Sequence, residues 1–99
     1  MGKIYCFDLD GTLCTINNGQ YEEAKPYLNR INKVNELYDN NNHIIIETAR
    51  GSVSGIDWFD LTNKQLNEWG IKFHELRTGV KFYADFYIDD KSNDLNFFD

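Results

Sequence analysis

Only two cysteines, one proline and one methionine occur in the 99 residues, and each scarcity excludes something. Cys6 and Cys14 are too few and too close for a disulfide framework or a zinc ligand set. No apolar run approaches the ~18 residues of a membrane-spanning helix, so no membrane span is expected. The N-terminus goes straight into a strand pattern, so no signal peptide is expected. A reducing, cytoplasmic setting is therefore expected. Positive charge is also short: ten Lys and Arg stand against 16 Asp and Glu, a net charge of -6. With no basic stripe, global attraction to nucleic acid or to an anionic membrane is not expected. Repeats and linkers are absent, and one domain spanning 1–99 is expected.

What the chain has is aromatic and aliphatic material in short, regular blocks. Seven Phe, six Tyr and two Trp favour a packed core over disorder. Lys3 to Asp8 reads as a first strand, apolar on both faces, and places Cys6 in the core. Gly11 to Gln20 reads as a loop. Pro26 suits the first turn of a helix, continued by Tyr27, Ile31, Val34 and Tyr38 at helical spacing. The stretch from Asp39 to Asn42 ends that helix. A second buried strand covers His43 to Glu47, and a glycine-containing loop follows from Thr48 to Ile56. Trp58, Leu61, Leu66 and Trp69 mark a second helix with Gly70 at its C′ position. Thr62 and Gln65 form a capping box if that helix starts late. Ile71 to Leu76 and Ala84 to Asp89 read as strands three and four, and 93–98 as a last helical turn or two.

The order β-α-β-α-β-β predicts an α/β fold, a Rossmann-like parallel sheet flanked by helices. Right-handed crossovers place strands one, two and three side by side, with strand four on the other side of strand one. The gap between strands one and four is then the topological switch point, where such sheets bind ligands. Two acidic clusters are aimed at it. Asp8-Leu9-Asp10-Gly11-Thr12 follows strand one, and Asp89-Asp90 follows Phe86-Tyr87-Ile88. Carboxylates brought together repel one another, and a hard cation such as Mg²⁺ relieves that repulsion with oxygen ligands and substrate phosphate.

Asp8 and Asp10, two apart on an extended chain, point to one side. One can attack phosphorus while the other handles a proton, which divides a hard displacement into two steps. Gly11 permits a sharp turn beside the phosphoryl group, and Thr12 offers a hydroxyl and a backbone N–H. Phosphoryl transfer also wants a hydroxyl and a cation, and Thr48 and Lys81 are placed to supply them. Cys14 is expected as a free thiol near the mouth of this site.

At these residues the chain resembles the haloacid dehalogenase (HAD) superfamily, most of whose members are Mg²⁺-dependent phosphatases. Asp8-Leu9-Asp10-Gly11-Thr12 looks like its first motif, Thr48 matches the second, Lys81 the third and Asp89-Asp90 the fourth. Gly79-Val80-Lys81-Phe82 departs from the more usual Gly-Lys-Pro order. The stretches Thr48-Ala49-Arg50-Gly51 and Tyr87-Ile88-Asp89-Asp90-Lys91 further resemble small bacterial members associated with capsular polysaccharide biosynthesis. The resemblance implies an HAD-like core and roles residue by residue. Asp8 is the nucleophile and Asp10 the general acid and then base. Thr48 and Lys81 hold the phosphoryl oxygens, and Gly11, Thr12, Ala49 and Arg50 adjoin the substrate. Mg²⁺ is held by Asp8, Asp10, Asp89 and Asp90. Leu13 to Gln20 and Arg77 to Tyr83 are too short for a cap. An open site follows, for a phosphorylated sugar or polyol or a glycan-linked substrate, unless a second copy of the chain supplies a lid.

Several residues keep two readings. Arg50 either binds a second anionic group on the substrate or pairs with a carboxylate to hold its loop. Trp58 and Phe59 line a sugar site or belong to the core, with the core favoured. His43 is expected at the surface, and His74 as structural. Asp8-Leu9-Asp10-Gly11 lacks the remaining ligands of a calcium loop. Three other functions compete: phosphoryl transfer between molecules, as in a phosphomutase, disfavoured by the missing cap; a polynucleotide-end phosphatase, disfavoured by the acidic balance; and an HAD-fold binding or regulatory domain with weak turnover. A receiver domain is disfavoured because no aspartate ends strand three.

Overall fold

The computed structural model describes residues 2–51 and 55–79 and the backbone of residues 86–88. The elements are β1 (Ile4–Asp8), α1 (Leu28–Asp39), β2 (His43–Thr48), α2 (Phe59–Glu68), β3 (Glu75–Thr78) and β4 (Phe86–Ile88). A three-residue 3₁₀ turn, Tyr21–Glu23, lies in the long connection before α1. All four strands are parallel, in the order β3-β2-β1-β4. This is a Rossmann-like α/β sheet flanked by helices, in the strand order that the sequence predicts.

The sheet is buried because its sequence leaves no polar face. In β2 every residue after His43 is buried. Phe7, Leu9, Leu13, Ile31, Val34, Ile44, Ile46, Leu66 and Ile71 form one continuous core between sheet and helices. Fully burying a side chain of this size stabilises by roughly 1.5–3 kcal/mol, so this cluster carries the fold. Among the described residues no folded cap interrupts the core.

Element boundaries differ from expectation in three places. Pro26 does not open a helix. It bridges Cys14, Tyr27 donates its N–H to the Leu13 carbonyl at 2.8 Å, and this extended tether delays α1 until Leu28. The third strand starts at Glu75 rather than Ile71. The Ile71 N–H is still bonded to the Leu66 carbonyl of the preceding helix end, and the connection meets β2 only where His74 donates to the Ile44 carbonyl at 2.8 Å. Thr62 and Gln65 make no capping box. Helix α2 starts at Phe59, its N-cap Trp58 carries no side-chain cap, and Asp57 Oδ1 accepts the Phe59 N–H. Both polar side chains face inward instead.

The asparagines after α1 are structural. Asn40 is the C-cap, and Asn41 takes a left-handed φ of 68°, which asparagine tolerates better than most residues. Asn42 donates to the Leu37 carbonyl and accepts the Lys3 N–H, so it ties the helix end to the start of the sheet. Lys81, Asp89, Asp90 and the helical turn expected over 93–98 lie outside the described residues.

Candidate functional site

Strands β1 and β2 both end at the same edge of the sheet, and their registers place Asp8 opposite Glu47. On the other side of β1, Phe7 pairs with Ile88 of β4. Asp8 is therefore the last strand residue at the switch between neighbours β2 and β4. Beyond it the chain folds into a tight turn, in which the N–H groups of Thr12, Leu13 and Cys14 all donate to the Leu9 carbonyl. Gly11 sits at φ 86°, a conformation that carries a steric penalty for residues with a Cβ, and its N–H donates to the Cys14 carbonyl at 2.8 Å. The N–H groups of Gly11 and Thr12 are thus used within the turn itself. The Thr12 hydroxyl is fully buried and meets no hydrogen-bond partner among the described residues.

This turn presents the Asp10 carboxylate to residues arriving from β2 and α2. Thr48 Oγ1, 38 residues away in sequence, donates to Asp10 Oδ2 at 3.4 Å and also accepts the Arg50 N–H at 3.2 Å. Arg50 then turns its side chain inward. Its Nε donates to Asp10 Oδ2 at 3.0 Å and its Nη2 to Asp10 Oδ1 at 2.8 Å, a bidentate pair. Nη1 donates to Thr62 Oγ1 at 3.1 Å and to Gln65 Oε1 at 2.7 Å. Nη2 also reaches Cys14 Sγ at 3.9 Å. A guanidinium has five N–H groups, and these five acceptors account for all of them. The Tyr21 ring covers the guanidinium at 4.5 Å, edge-on to Trp58, and the Gln65 amide donates to the Tyr21 carbonyl.

Of the two sequence readings of Arg50, the geometry is that of a carboxylate partner. Its side chain is 0% exposed, against 22% for Asp10. Ala49, between buried Thr48 and buried Arg50, is exposed. Gly51 follows at φ 86°, and its missing side chain leaves room for the Ile56 carbonyl, which a Cβ would overlap. Cys14 is not at the mouth. It is 0% exposed, because the turn wraps it between Leu9 and Asp10. Burial, aided by the Asp10 carboxylate, pushes its thiol from an ordinary 9.0 up to about 12.

The residues that sequence reasoning missed are Thr62, Gln65 and Tyr21. A signal existed: Thr62, Gln65 and Leu66 share one face of α2, so two polar side chains lie on the face that the hydrophobic pattern turns inward. Outside the cluster, a mixed apolar and polar groove of about 550 Å³ runs past Gly11 between Pro26, Tyr27, Leu28, Asn29 and Arg30. The Arg30 guanidinium lies 5.2 Å from the Tyr27 ring centroid, and its Nη1 donates to the Thr12 carbonyl at 2.9 Å.

Asp8, Asp10, Thr48 and Arg50 are thus brought to one edge of the sheet, with Gly11 and Thr12 in the turn beside them. Three or more His, Cys, Asp or Glu side chains that could hold a metal ion do not meet among the described residues. No helix among them is long and apolar enough to cross a membrane.

The fold has a solved counterpart. A crystal structure of an MCSG target from Vibrio cholerae is similar to the chain with a TM-score of 0.75 and 27% identity. The match covers 97% of this chain and 86% of that one. No family model matches the chain, and no curated protein does.

Proposed function

We propose that the chain is a Mg²⁺-dependent phosphohydrolase of the HAD type, working through an aspartyl-phosphate on Asp8. The observation that carries this reading is the meeting of Asp10 with Thr48 at 3.4 Å, at the ends of adjacent parallel strands and beside Asp8. A proton-handling carboxylate and a phosphoryl-binding hydroxyl are the groups that such chemistry needs together.

An Asp8 oxygen attacks phosphorus, the bond from phosphorus to the leaving oxygen breaks, and Asp10 delivers a proton to that oxygen. Water then attacks the same phosphorus, Asp10 takes its proton, the bond to Asp8 breaks, and inorganic phosphate leaves. Thr48 and Lys81 hold the phosphoryl oxygens. The donors suit Mg²⁺: the Asp8 carboxylate, the Asp10 main-chain carbonyl and, from the sequence, Asp89 and Asp90 offer only hard oxygen ligands. Bound there, the ion would neutralise phosphoryl charge. The register supports this set, because Phe7 pairs with Ile88 and the next residues in sequence are Asp8 and Asp89.

The groove past Gly11 is where a leaving group would lie. Its mixture of a Tyr ring, apolar side chains, an amide and a guanidinium suits a phosphorylated sugar or polyol, or the end of a glycan. The absence of a cap over the described residues leaves room for a large substrate or for a second copy of the chain. Two free buried cysteines suit a reducing cytoplasm. The test is hydrolysis of a chromogenic phosphate ester with and without Mg²⁺. Wild type should turn over only with the metal, and Asp8→Asn should fold with turnover lost. An Asp8→Asn variant that kept full activity would overturn the assignment.

A further inference from the structure

A general acid and base must be held in place while a proton moves, and a carboxylate on a loop has rotamers to spare. We propose that Arg50, braced by Thr62 and Gln65 on α2, is the positioning residue for Asp10, so that helix α2 sets the geometry of proton transfer without touching substrate. The proposal rests on the phosphohydrolase reading for its chemistry and on the buried cluster for its mechanics.

Three observations lead to it. The guanidinium holds both carboxylate oxygens of Asp10 at 3.0 and 2.8 Å, which fixes the plane of the carboxylate as well as its distance. A lysine in the same place would hold it as a point charge and leave that plane free. The guanidinium is itself fixed from behind by Thr62 and Gln65, one turn apart on α2, and from above by the Tyr21 ring. Finally, the side chain is wholly buried, while Asp10 keeps an exposed edge. Arg50 is shut away from any ligand, and the group it holds is open to one.

An ion pair so placed is a poor device for stability alone, since the buried guanidinium gives up its hydration before the attraction returns anything. Orientation is what it supplies beyond an apolar pair of the same size. The local sequence is suited to the task. Thr48 ends β2, its hydroxyl accepts the Arg50 N–H, and Gly51 follows Arg50 at a left-handed φ of 86°.

The proposal separates Arg50 from groups that bind phosphate directly. Loss of a phosphate-binding cation raises KM, whereas loss of a positioning group lowers kcat with KM little changed. Arg50→Lys and the double variant Thr62→Val with Gln65→Leu test this, alongside Asp8→Asn. The substrate is a chromogenic phosphate ester with Mg²⁺, and folding is followed by thermal melting. Arg50→Lys should lower kcat by about tenfold or more, as misplaced catalytic groups do, while KM stays within about twofold. The double variant, which leaves Arg50 in place but unbraced, should lower kcat in the same way by a smaller factor and shift the pH profile of kcat.

A readout independent of turnover accompanies these. Cys14 Sγ lies 3.5 Å from Asp10 Oδ1 and 3.9 Å from Arg50 Nη2, so a loosened cluster should expose this thiol to a thiol reagent in the folded protein. Faster labelling of Cys14 in the double variant supports the bracing by α2. Labelling as slow as in wild type, together with unchanged kcat, overturns the proposal even if Asp8→Asn is inactive. If wild type and Asp8→Asn are equally inactive, the phosphohydrolase reading fails and positioning for that reaction falls with it. A raised KM with intact kcat in Arg50→Lys would instead make Arg50 a substrate-binding cation.

Discussion

The carboxyl end of β2 delivers Thr48 and Arg50 into a buried polar cluster, and the amino end of the same strand delivers His43 into an exposed one. At the first end Arg50, Thr62 and Gln65 are all buried, and every N–H of the guanidinium has an acceptor. At the second, His43 Nε2 meets Glu75 Oε2 at 3.3 Å with the two side chains 43% and 40% exposed. The rings of His43 and His74 stack at 4.5 Å, and His74 stacks on Tyr38 at 4.6 Å. His74 Nδ1 accepts the Ile44 N–H at 3.0 Å, in the structural role expected of it. Both ends bring an ionisable pair into contact, but only at the first is the basic side chain taken out of water. An exposed pair is interchangeable with hydration and contributes little, whereas a buried one makes each partner dependent on the other.

The sharpest way to break this contrast is to remove Arg50. Arg50→Met keeps length and apolar stem but leaves the Asp10 carboxylate without its cation and takes from Thr62 Oγ1 and Gln65 Oε1 the guanidinium that both accept from. Breaking a buried pair in this way costs about 3 kcal/mol, read as a shift of the denaturant midpoint at constant slope. A loss below about 1 kcal/mol would put the cluster on the same footing as a surface pair.

The two ends also differ in how far the sequence discloses them. Strand order is legible because it rests on hydrophobic blocks and the handedness of crossovers, and β2 and β1 carry those in unbroken runs. The gathering of Asp8, Asp10 and Thr48 follows from the same topology, since parallel strands end at one edge. Helix starts are less legible. The helical spacing that begins at Tyr27 does not show that residues 13, 14, 26 and 27 are tethered to each other, because that is a long-range pairing with no local mark. The role of Thr62 and Gln65 is hidden for a related reason. The same spacing serves a capping box or a pair of inward polar groups, and the choice depends on Arg50, which is 12 and 15 residues away in sequence. The contact of His43 with Glu75 lies beyond sequence reading altogether, as it depends on the register of β2 against β3.

An effect smaller at each pH unit sharpens the comparison through pH. In the buried cluster the Cys14 thiol is raised from 9.0 to about 12 by burial and by the Asp10 carboxylate. A raised folded value means that the contribution is present in full below 9.0 and is lost as pH climbs from there toward 12. Across that window wild type should lose stability on account of this thiol by about 1 kcal/mol per pH unit, and Cys14→Ala should lack that share of the slope. The comparison uses the slopes of the two proteins, so the packing lost in the variant cancels. Parallel alkaline limbs would mean that the thiol is as accessible as the histidines at the other end.

The smallest effect belongs to that other end, and it runs on the acid side. The Glu75 carboxyl is held below its ordinary 4.5, chiefly by its hydrogen bond with His43, against an opposing push from burial, and further by Arg77. A depressed folded value means that the contribution is present above 4.5 and fades as pH falls through the lowered value. His43→Ala should therefore shift the melting temperature by no more than about 3 °C at neutral pH, as befits an exposed pair. That difference should vanish in acid, where Glu75 is protonated in both proteins, and shrink in high salt, which screens exposed charges but not buried ones. A His43→Ala shift that matched Arg50→Met in size, or that ignored salt, would mean that the amino end of β2 depends on its charge pair as heavily as the carboxyl end does. The asymmetry assigned to the strand would then be lost.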